Sequence, residues 1–308
     1  MADWALTTPV AFIIFNRPDT TERVFAEIAR ARPAKLLVIA DGARAHRAGE
    51  ADRCAASRAI IDRVDWKCDI STNYSDVNLG CKNRLASGID WVFEQVPEAI
   101  ILEDDCLPHP SFFRFCDELL DKYREDERVA QIGGSNFQMG RPRGTGSYYF
   151  SRYNHIWGWA TWRRAWKHYD VTMRAWNTLA KEDWLAKVFA AHGQVEFWRT
   201  RFDMAAGQKI DTWDYQWNFA AWMNDLYTVT PNRNLISNIG FGPEATHTKR
   251  KGSLANMEVQ GMDFPLVHPD RMDIDADADA FTAARCFSLG PFYKRIAKKV
   301  LAVLQAGA

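Results

Sequence analysis

The stretch that most constrains the fold runs from Ala99 to Asp105, where four apolar residues lead directly into Glu103, Asp104 and Asp105. The apolar run predicts a buried strand of a parallel sheet. Three consecutive carboxylates repel one another, and burying them is favourable only if positive charge lies between them. A hard divalent cation prefers such oxygens, and ligands of open α/β sheets bind beyond the carboxyl ends of the strands. The stretch therefore predicts a metal-assisted site, with a solvated acidic turn as the alternative.

The composition is that of an ordinary globular protein. The 308 residues are 47% hydrophobic and 25% charged, enough for one large α/β domain or two small ones. Lys+Arg and Asp+Glu both number 39, which argues against a general nucleic-acid binder but leaves room for local phosphate sites. No apolar run reaches the length of a membrane span, no signal peptide is recognisable, and the six cysteines form no C-x-x-C pair. These features predict a cytoplasmic protein with reduced thiols.

Strand and helix patterns alternate through about residue 135. Apolar runs predict buried strands at 10–15, 36–40, 99–102 and 129–133, with a weaker strand at 68–73. Helical patterns lie between them, at 19–30, 50–65, 80–93 and after Pro110. This alternation predicts an α/β fold with a parallel, doubly wound sheet flanked by helices.

The second half has a different character. Residues 154–166 are dense in aromatics, and residues 181–225 are typical of two or three helices. Alternating aspartates at 273–279 lack the glycine and glutamate of a calcium loop, so they are interpreted as a solvated linker. Residues 293–304 predict a basic amphipathic helix, of a kind that packs on its own domain or, less often, contacts an anionic membrane surface.

Charged residues follow several predicted strands at the same edge of the sheet as the acids. Arg17 follows the first strand, Asp41 follows the second, and Lys82 and Arg84 open the helix after the third. Cationic side chains at helix starts, beside a metal, can bind a diphosphate. An acid at the rim of the site can accept a hydrogen bond from the N–H of a base or from a ribose hydroxyl. Each residue alone is more simply a surface charge, but together they outline a nucleoside-diphosphate site.

These motifs resemble a known family. Asn16-Arg17, the Ile39–Gly42 segment, and Glu103-Asp104-Asp105 followed by Pro-Ser-Phe-Phe are similar to the GT-A glycosyltransferases, among them N-acetylglucosaminyltransferase I. Trp157-Gly158-Trp159 and Trp213-Asp214 fit the acceptor half of that family and of a group of bacterial sugar transferases. The likeness covers roughly residues 9–248 and is strongest at the acids.

The resemblance implies a GT-A fold, with a mostly parallel sheet and an aromatic-rich acceptor half, and an inverting transferase that uses a UDP-sugar and Mn²⁺ or Mg²⁺. It implies that Asp105 binds the metal directly and that Glu103 and Asp104 contact the ribose and sugar or hold the metal's waters. Asp41 would read the uracil edge, and Arg17 would lie near the nucleotide. Residues 1–135 would form the nucleotide-sugar half, 136–262 the acceptor half, and 263–308 a linker with the C-terminal helix.

The resemblance further implies that Asp214 is the catalytic base. An in-line displacement needs one carboxylate that takes the proton of the acceptor hydroxyl while the metal stabilises the leaving diphosphate. The alternative is that Asp214 caps the helix that follows it. His247 is a further candidate for the metal or the diphosphate. Asn154 and Trp157 are expected to be exposed and to bind sugar beside Trp213, while most other tryptophans are expected to pack in the core.

The expected acceptor is a glycan or glycolipid, and the expected activity is hexosyl or N-acetylhexosaminyl transfer in bacterial polysaccharide or glycoprotein synthesis. One alternative is a sugar-nucleotide nucleotidyltransferase, although such an enzyme needs a glycine-rich basic loop where this chain has Asn16-Arg17-Pro18-Asp19. The other is a non-catalytic carbohydrate-binding protein, which leaves the acids unexplained.

Overall fold

A computed structural model describes residues 4–241 and 254–287. Its strands are β1 (Val10–Ile14), β2 (Lys35–Ala40), β3 (Asp69–Tyr74), β4 (Glu98–Glu103), β5 (Cys106–Pro108), β6 (Val129–Gly133), β7 (Tyr148–Ser151), β8 (Trp159–Trp162), β9 (Tyr227–Pro231) and β10 (Ile236–Asn238). Its helices are α1 (Pro18–Ala31), α2 (Glu50–Ala59), α3 (Gly80–Gln95), α4 (Ser111–Lys122), α5 (Arg163–Trp166), α6 (Trp176–Leu179), α7 (Trp184–Val188), α8 (His192–Ala206), α9 (Asp214–Met223) and α10 (Ala276–Cys286), with a 3₁₀ turn at Ile60–Arg63.

In the described residues, eight strands form one sheet in the order β3-β2-β1-β4-β8-β6-β9-β7, and β5 pairs with β10 in a separate ribbon. Strands β1 to β4 are mutually parallel, β8 runs antiparallel to both β4 and β6, and β7 runs antiparallel to β9. The sheet is therefore mostly parallel, and the predicted Rossmann-like α/β fold is confirmed.

The central strands are apolar because both faces of the sheet are covered. Every residue of β1 is buried, and β4 is buried from Ala99 to Leu102. Helices α1 and α4 pack on one face through side chains such as Phe25 and Phe112. Helices α3, α8 and α9 pack on the other face, where most of the tryptophans lie. The position of β4 between β1 and β8 puts its acidic end at the middle of the sheet edge.

Most tryptophans of the second half pack in the apolar core between the sheet and helices α3, α8 and α9, as expected. Trp159 stacks on Trp213 with ring centroids 5.7 Å apart, and Trp198 meets Trp222 edge-on at 4.6 Å. Such contacts bury large apolar area and fix the ring orientations. This aromatic packing holds the helices of the second half against the sheet.

Two interpretations of the second half are wrong. Residues 159–162 form β8, a fully buried strand inserted antiparallel between β4 and β6, within a stretch for which no strand was predicted. The acidic run is not a solvated linker, since α10 begins within it. Asp275 accepts a hydrogen bond from the backbone N–H of Ala278 at 2.8 Å and so caps the helix. Asp279 is buried and accepts from the Ser151 hydroxyl at 2.5 Å; burial raises its pKa to about 6.

All six cysteines are free thiols, as predicted. Among residues 4–241 and 254–287, no helix has the length and apolar character needed to cross a membrane. The predicted basic helix at 293–304 lies outside the described residues, and the division of the chain into halves near residue 135 stays a prediction.

Candidate active site

A cavity of about 760 Å³ lies beyond the carboxyl ends of β1, β2 and β4. Its walls come from both halves of the chain, because residues of the α8–α9 region close the side opposite the strands. The charged residues that line it in the described part are Arg17, Asp41, Arg44, Arg84, Glu103, Asp104, Asp105, Arg201, Asp211 and Asp214. A second cavity of about 770 Å³, between α2 and β3, does not reach the acids. The first cavity is therefore the candidate active site.

Parallel pairing of β1 with β4 brings Arg17 to the acids. The register places Ile13 opposite Glu103, so the residues that follow the two strands meet. Arg17 donates to Asp105 Oδ2 at 2.9 Å and also to Asp104 Oδ1. Asp104 Oδ2 accepts from the backbone N–H of Phe15 at 3.0 Å. The guanidinium thus supplies the positive charge that buried carboxylates need.

Burial and neighbouring charges shift the pKa values of Arg17, Glu103 and Asp104. Burial, together with the charge of Asp105, raises the pKa of Asp104 to about 6, although Arg17 opposes that shift. Burial and the charges of Asp105 and Asp104 raise the pKa of Glu103 well above its usual range. Burial disfavours the charged form of Arg17, but the two carboxylates outweigh this effect and raise its pKa. The cluster is therefore a strongly coupled group of charges in a poorly solvated setting.

Glu103 differs from its two neighbours. Its side chain lines the cavity, and within the described part of the chain no hydrogen-bond donor reaches its carboxyl. The charge of Asp214, on the opposite wall, adds to the rise in the Glu103 pKa. The acids of β4 and Asp214 at the start of α9 line the same cavity, so they face one shared space.

The acids that follow β4 suit a metal ion that is held partly by the protein and partly by a bound ligand. Among residues 4–241 and 254–287, no group of three or more His, Cys, Asp or Glu side chains is placed to hold a metal ion. Both oxygens of Asp104 are engaged, whereas Asp105 Oδ1 has only a thiol contact with Cys106 at 3.5 Å. Mg²⁺ commonly binds one or two carboxylates and takes its other ligands from water and substrate phosphates. Asp105 suits that arrangement.

Gly240 closes over the Arg17–Asp105 pair. The β5–β10 ribbon brings the chain back past the acids, and the backbone N–H of Ile239 donates to the Asp105 carbonyl at 2.8 Å. A Cβ atom on Gly240 would lie 2.1 Å from Asp105 Oδ2 and 2.6 Å from Arg17 Nη1. Only glycine allows so close an approach, so this position helps to shape the acid cluster.

Asp41 anchors a loop rather than presenting an open carboxylate. It accepts hydrogen bonds from the backbone N–H groups of Gly42, Leu79 and Gly80 and from the side-chain amide of Asn78. A carboxylate has about four acceptor positions, and four donors take them here. Burial raises its pKa, although these donors oppose the shift. The geometry therefore supports a role in holding the start of α3 rather than the reading of a uracil edge.

We expect Asp41→Asn to destabilise the fold by roughly 1–3 kcal/mol, because an amide NH₂ would face donors that the carboxylate now satisfies. The free energy of unfolding, from urea titration, measures the effect. Asp76→Asn is the matched control, since Asp76 is exposed in the loop after β3. An Asp41→Asn variant as stable as wild type would return Asp41 to a ligand-contacting role.

The two cations at the start of α3 have different positions. Arg84 is buried, lines the cavity, and donates to the backbone carbonyl and side-chain oxygen of Asn73 at 2.5 and 2.7 Å. Its Nε has no hydrogen-bond partner, and burial lowers its pKa although Asp41 opposes this. Lys82 is half-buried and does not line the cavity. Of the two predicted phosphate contacts, the structure thus brings only Arg84 to the site.

Asp214 is the first residue of α9 and lines the cavity. Trp213 is the N-cap residue and makes no side-chain capping bond, while the Thr212 hydroxyl donates to Asp214 Oδ1. Asp211 has a different role, because its two oxygens accept from the backbone N–H groups of Cys81 at 3.0 Å and Lys82 at 2.8 Å. Asp211 thus caps the start of α3, and Asp214, at the start of α9, lines the cavity.

The predicted sugar contacts are only partly exposed. Trp157 is half-buried, lines the cavity and packs edge-on against Phe137 and Phe241. Trp213 also lines the cavity but is 2% exposed. The expectation that Asn154 is exposed is wrong, because Asn154 is buried and its Oδ1 accepts from the Thr228 hydroxyl at 2.9 Å. His247 lies outside the described residues.

Two arginines of the cavity were not predicted. Arg44 comes from the loop after β2, pairs with the buried Glu50 through Nε at 2.9 Å, and lies 5.5 Å from the Phe15 ring centroid. Arg201 comes from α8. Neither follows a strand directly, so no local pattern marks them as site residues.

Comparisons with known proteins match the fold only weakly. No family model matches the chain, and no curated protein matches it in sequence. Among solved structures it is similar to 4-diphosphocytidyl-2C-methyl-D-erythritol synthase from Anaerococcus prevotii DSM 20548, with 9% identity over 51% of this chain and 72% of that chain and a TM-score of 0.32. It is similar to inositol-1-phosphate CTP transferase from T. maritima, with 8% identity over 53% and 74% and a TM-score of 0.31.

A third similar structure is a UDP-glucose pyrophosphorylase complexed with UDP-glucose, with 11% identity over 48% of this chain and 65% of that chain and a TM-score of 0.26. These proteins are nucleotidyltransferases by name. Similarity at this level carries no argument about activity. No glycosyltransferase is among the structures named here, so the resemblance to the GT-A enzymes stays a prediction.

Proposed function

We propose that the protein is a glycosyltransferase that moves a sugar from a nucleoside-diphosphate donor to a hydroxyl group of a glycan or glycoconjugate. The observation that carries the proposal is that Asp214, at the start of α9, and the acids at the end of β4 line the same cavity. Glycosyl transfer with inversion needs a carboxylate on the acceptor side and a charged clamp on the leaving diphosphate. The cavity offers both.

In the proposed reaction, the acceptor oxygen forms a bond to the anomeric carbon while the bond from that carbon to the diphosphate oxygen breaks. Asp214 takes the proton from the acceptor hydroxyl. Arg84 and Arg17 balance the charge of the donor phosphates. Asp105 would hold Mn²⁺ or Mg²⁺, and such an ion, when bound, neutralises charge on the departing diphosphate. Trp157 offers a ring face for the sugar.

A sugar-nucleotide nucleotidyltransferase is the second candidate, because such an enzyme would use the same α/β sheet edge and acid–metal chemistry. The local geometry favours glycosyl transfer. Only Phe15, Asn16 and Arg17 join β1 to α1, and this connection contains no glycine. A loop that wraps a nucleoside triphosphate exposes a run of backbone N–H groups and depends on glycine for it. The short connection instead directs Arg17 to the acids.

One experiment separates the two candidates. The protein is incubated with UDP-glucose or UDP-N-acetylglucosamine and Mn²⁺, with and without pyrophosphate, and the products are identified by ³¹P NMR. A glycosyltransferase breaks the sugar–phosphate bond and releases UDP, slowly with water as the acceptor. A nucleotidyltransferase run in reverse consumes pyrophosphate and releases UTP and a sugar 1-phosphate. UTP formation would contradict the proposal, and so would the absence of UDP from every nucleotide sugar in a wider panel.

A further inference from the structure

Arg201 occupies the wall of the cavity on the Asp214 side. Helix α8 carries it and packs on α9 through Trp198 and Phe202, both fully buried. The ring of Phe202 lies 5.4 Å from that of Phe219, and the ring of Trp198 lies 6.0 Å from that of Tyr215. These anchors lie three residues before and one residue after Arg201, so the helix holds the arginine firmly beside the cavity.

The guanidinium of Arg201 lies near two aromatic rings and has no hydrogen-bond acceptor among the described residues. Its Cζ lies 5.1 Å from the Phe197 ring centroid and 5.9 Å from that of Tyr215. Its Nε is buried and has no hydrogen-bond partner. Within the described part of the chain, no carboxylate lies within 4 Å of it. Aromatic faces attract a cation but accept none of the five N–H donors that arginine carries.

Each of the other arginines of the cavity has a charged or polar partner within the protein, although Arg84 Nε, like Arg201 Nε, has none. Arg17 pairs with two acids, Arg44 pairs with Glu50, and Arg84 donates to Asn73. Among residues 4–241 and 254–287, Arg201 is thus the cavity arginine that has neither a counter-ion nor an acceptor. Holding a partly desolvated cation in this way is unfavourable unless a ligand completes its contacts.

We propose that Arg201 binds an anionic group of the acceptor and so restricts the acceptors to those bearing a carboxylate or a phosphate. The inference rests on the proposed function, since it concerns the substrate that Asp214 deprotonates. Tyr215 links the two residues, because it follows Asp214 directly and its ring lies against the Arg201 guanidinium. The anion would therefore lie close to the hydroxyl that attacks. The planar guanidinium matches carboxylate and phosphate oxygens in a bidentate manner.

The test compares acceptors that differ only in the anion. One pair is 4-nitrophenyl β-glucuronide and 4-nitrophenyl β-glucoside, and the other is glucose 6-phosphate and glucose; the two pairs distinguish a carboxylate from a phosphate. Wild type should favour at least one anionic member on the order of 10- to 100-fold in kcat/KM, the usual effect of charge-assisted hydrogen bonds. Arg201→Gln should abolish this ratio, and Arg201→Lys should restore part of it. Arg199→Gln is the matched control, because Arg199 lies on the same helix and pairs with Asp183 away from the cavity.

A binding measurement separates failure of this inference from failure of the proposed function. Glucuronate and inorganic phosphate are titrated calorimetrically into wild type and Arg201→Gln, each loaded with UDP and Mn²⁺. Loss of binding in Arg201→Gln supports the anion site even if no donor is cleaved or no acceptor is used. If wild type cleaves the donor but treats both members of each pair alike, the inference is wrong and the transferase proposal stands. Equal or absent binding of both anions by the two proteins would also overturn it.

Discussion

Replacing Asp214 with asparagine should lower turnover on the order of 10²–10⁴-fold, the usual contribution of a general base. Asparagine keeps the shape of the side chain and can still accept the hydrogen bond that the Thr212 hydroxyl gives to Asp214. It cannot take a proton from the acceptor. UDP and Mn²⁺ affinities should stay nearly unchanged, because those ligands are expected to bind at the acids of β4 rather than at Asp214. The measurement is kcat at saturating donor, accompanied by the melting temperature.

Asp225→Asn is the control for this experiment, because Asp225 is an exposed acid just beyond the other end of α9. Turnover by Asp214→Asn equal to wild type would remove Asp214 as the base. Asp211 would not replace it, since both of its oxygens cap α3. Among the described carboxylates, Glu103 would then be the next candidate, because its carboxyl faces the cavity without a hydrogen-bond donor.

Asp105→Ala should remove the dependence of nucleotide affinity on the metal. In wild type, UDP should bind more tightly with Mn²⁺ than with EDTA by roughly 5- to 150-fold, the usual range for coupled sites, and UDP should tighten Mn²⁺ binding by the same factor. The physical reason is that Asp105 Oδ1, which has only a thiol contact, is open to a cation that phosphate oxygens must help to hold. Isothermal calorimetry with UDP in both buffers measures the difference.

The variant should remain folded, because Arg17 keeps its pair with Asp104. Asp52→Ala, an exposed acid on α2, is the control for the loss of a negative charge. Equal UDP affinity of the wild-type protein in Mn²⁺ and EDTA would contradict the metal assignment. Tight Mn²⁺ binding without UDP would contradict the view that the ligand completes the metal's coordination.

The sheet and the acid cluster could be predicted from sequence because their signals are local. An apolar run such as that of β4 leaves few alternatives to a buried strand, and the acids that follow it must lie at the sheet edge. Strand β8 gave no comparable signal. Its four buried residues, Trp159–Trp162, depend on β4 and β6 for their position, and no local pattern records such distant pairing.

Side-chain roles were harder to predict than positions. Asp41 lies at the cavity as expected, yet its acceptor positions are used by the loop before α3. Asn154 was expected to be exposed but is buried against Thr228. Arg201 gave no signal at all, because only the packing of α8 on α9 brings it to the cavity. Each case depends on which polar partners the fold supplies, and this is a property of three-dimensional contacts rather than of spacing.

The start of α3 has a consequence for the timing of substrate binding. Its first backbone N–H groups donate to Asp41, which follows β2, and to Asp211, which precedes α9. An outward movement of the Asp211–Asp214 segment would leave the N–H groups of Cys81 and Lys82 without their acceptor. The walls are thus assembled when the chain folds, and neither substrate has to draw them together on arrival. Under the proposed function, donor and acceptor would enter a cleft whose groups are already oriented by folding.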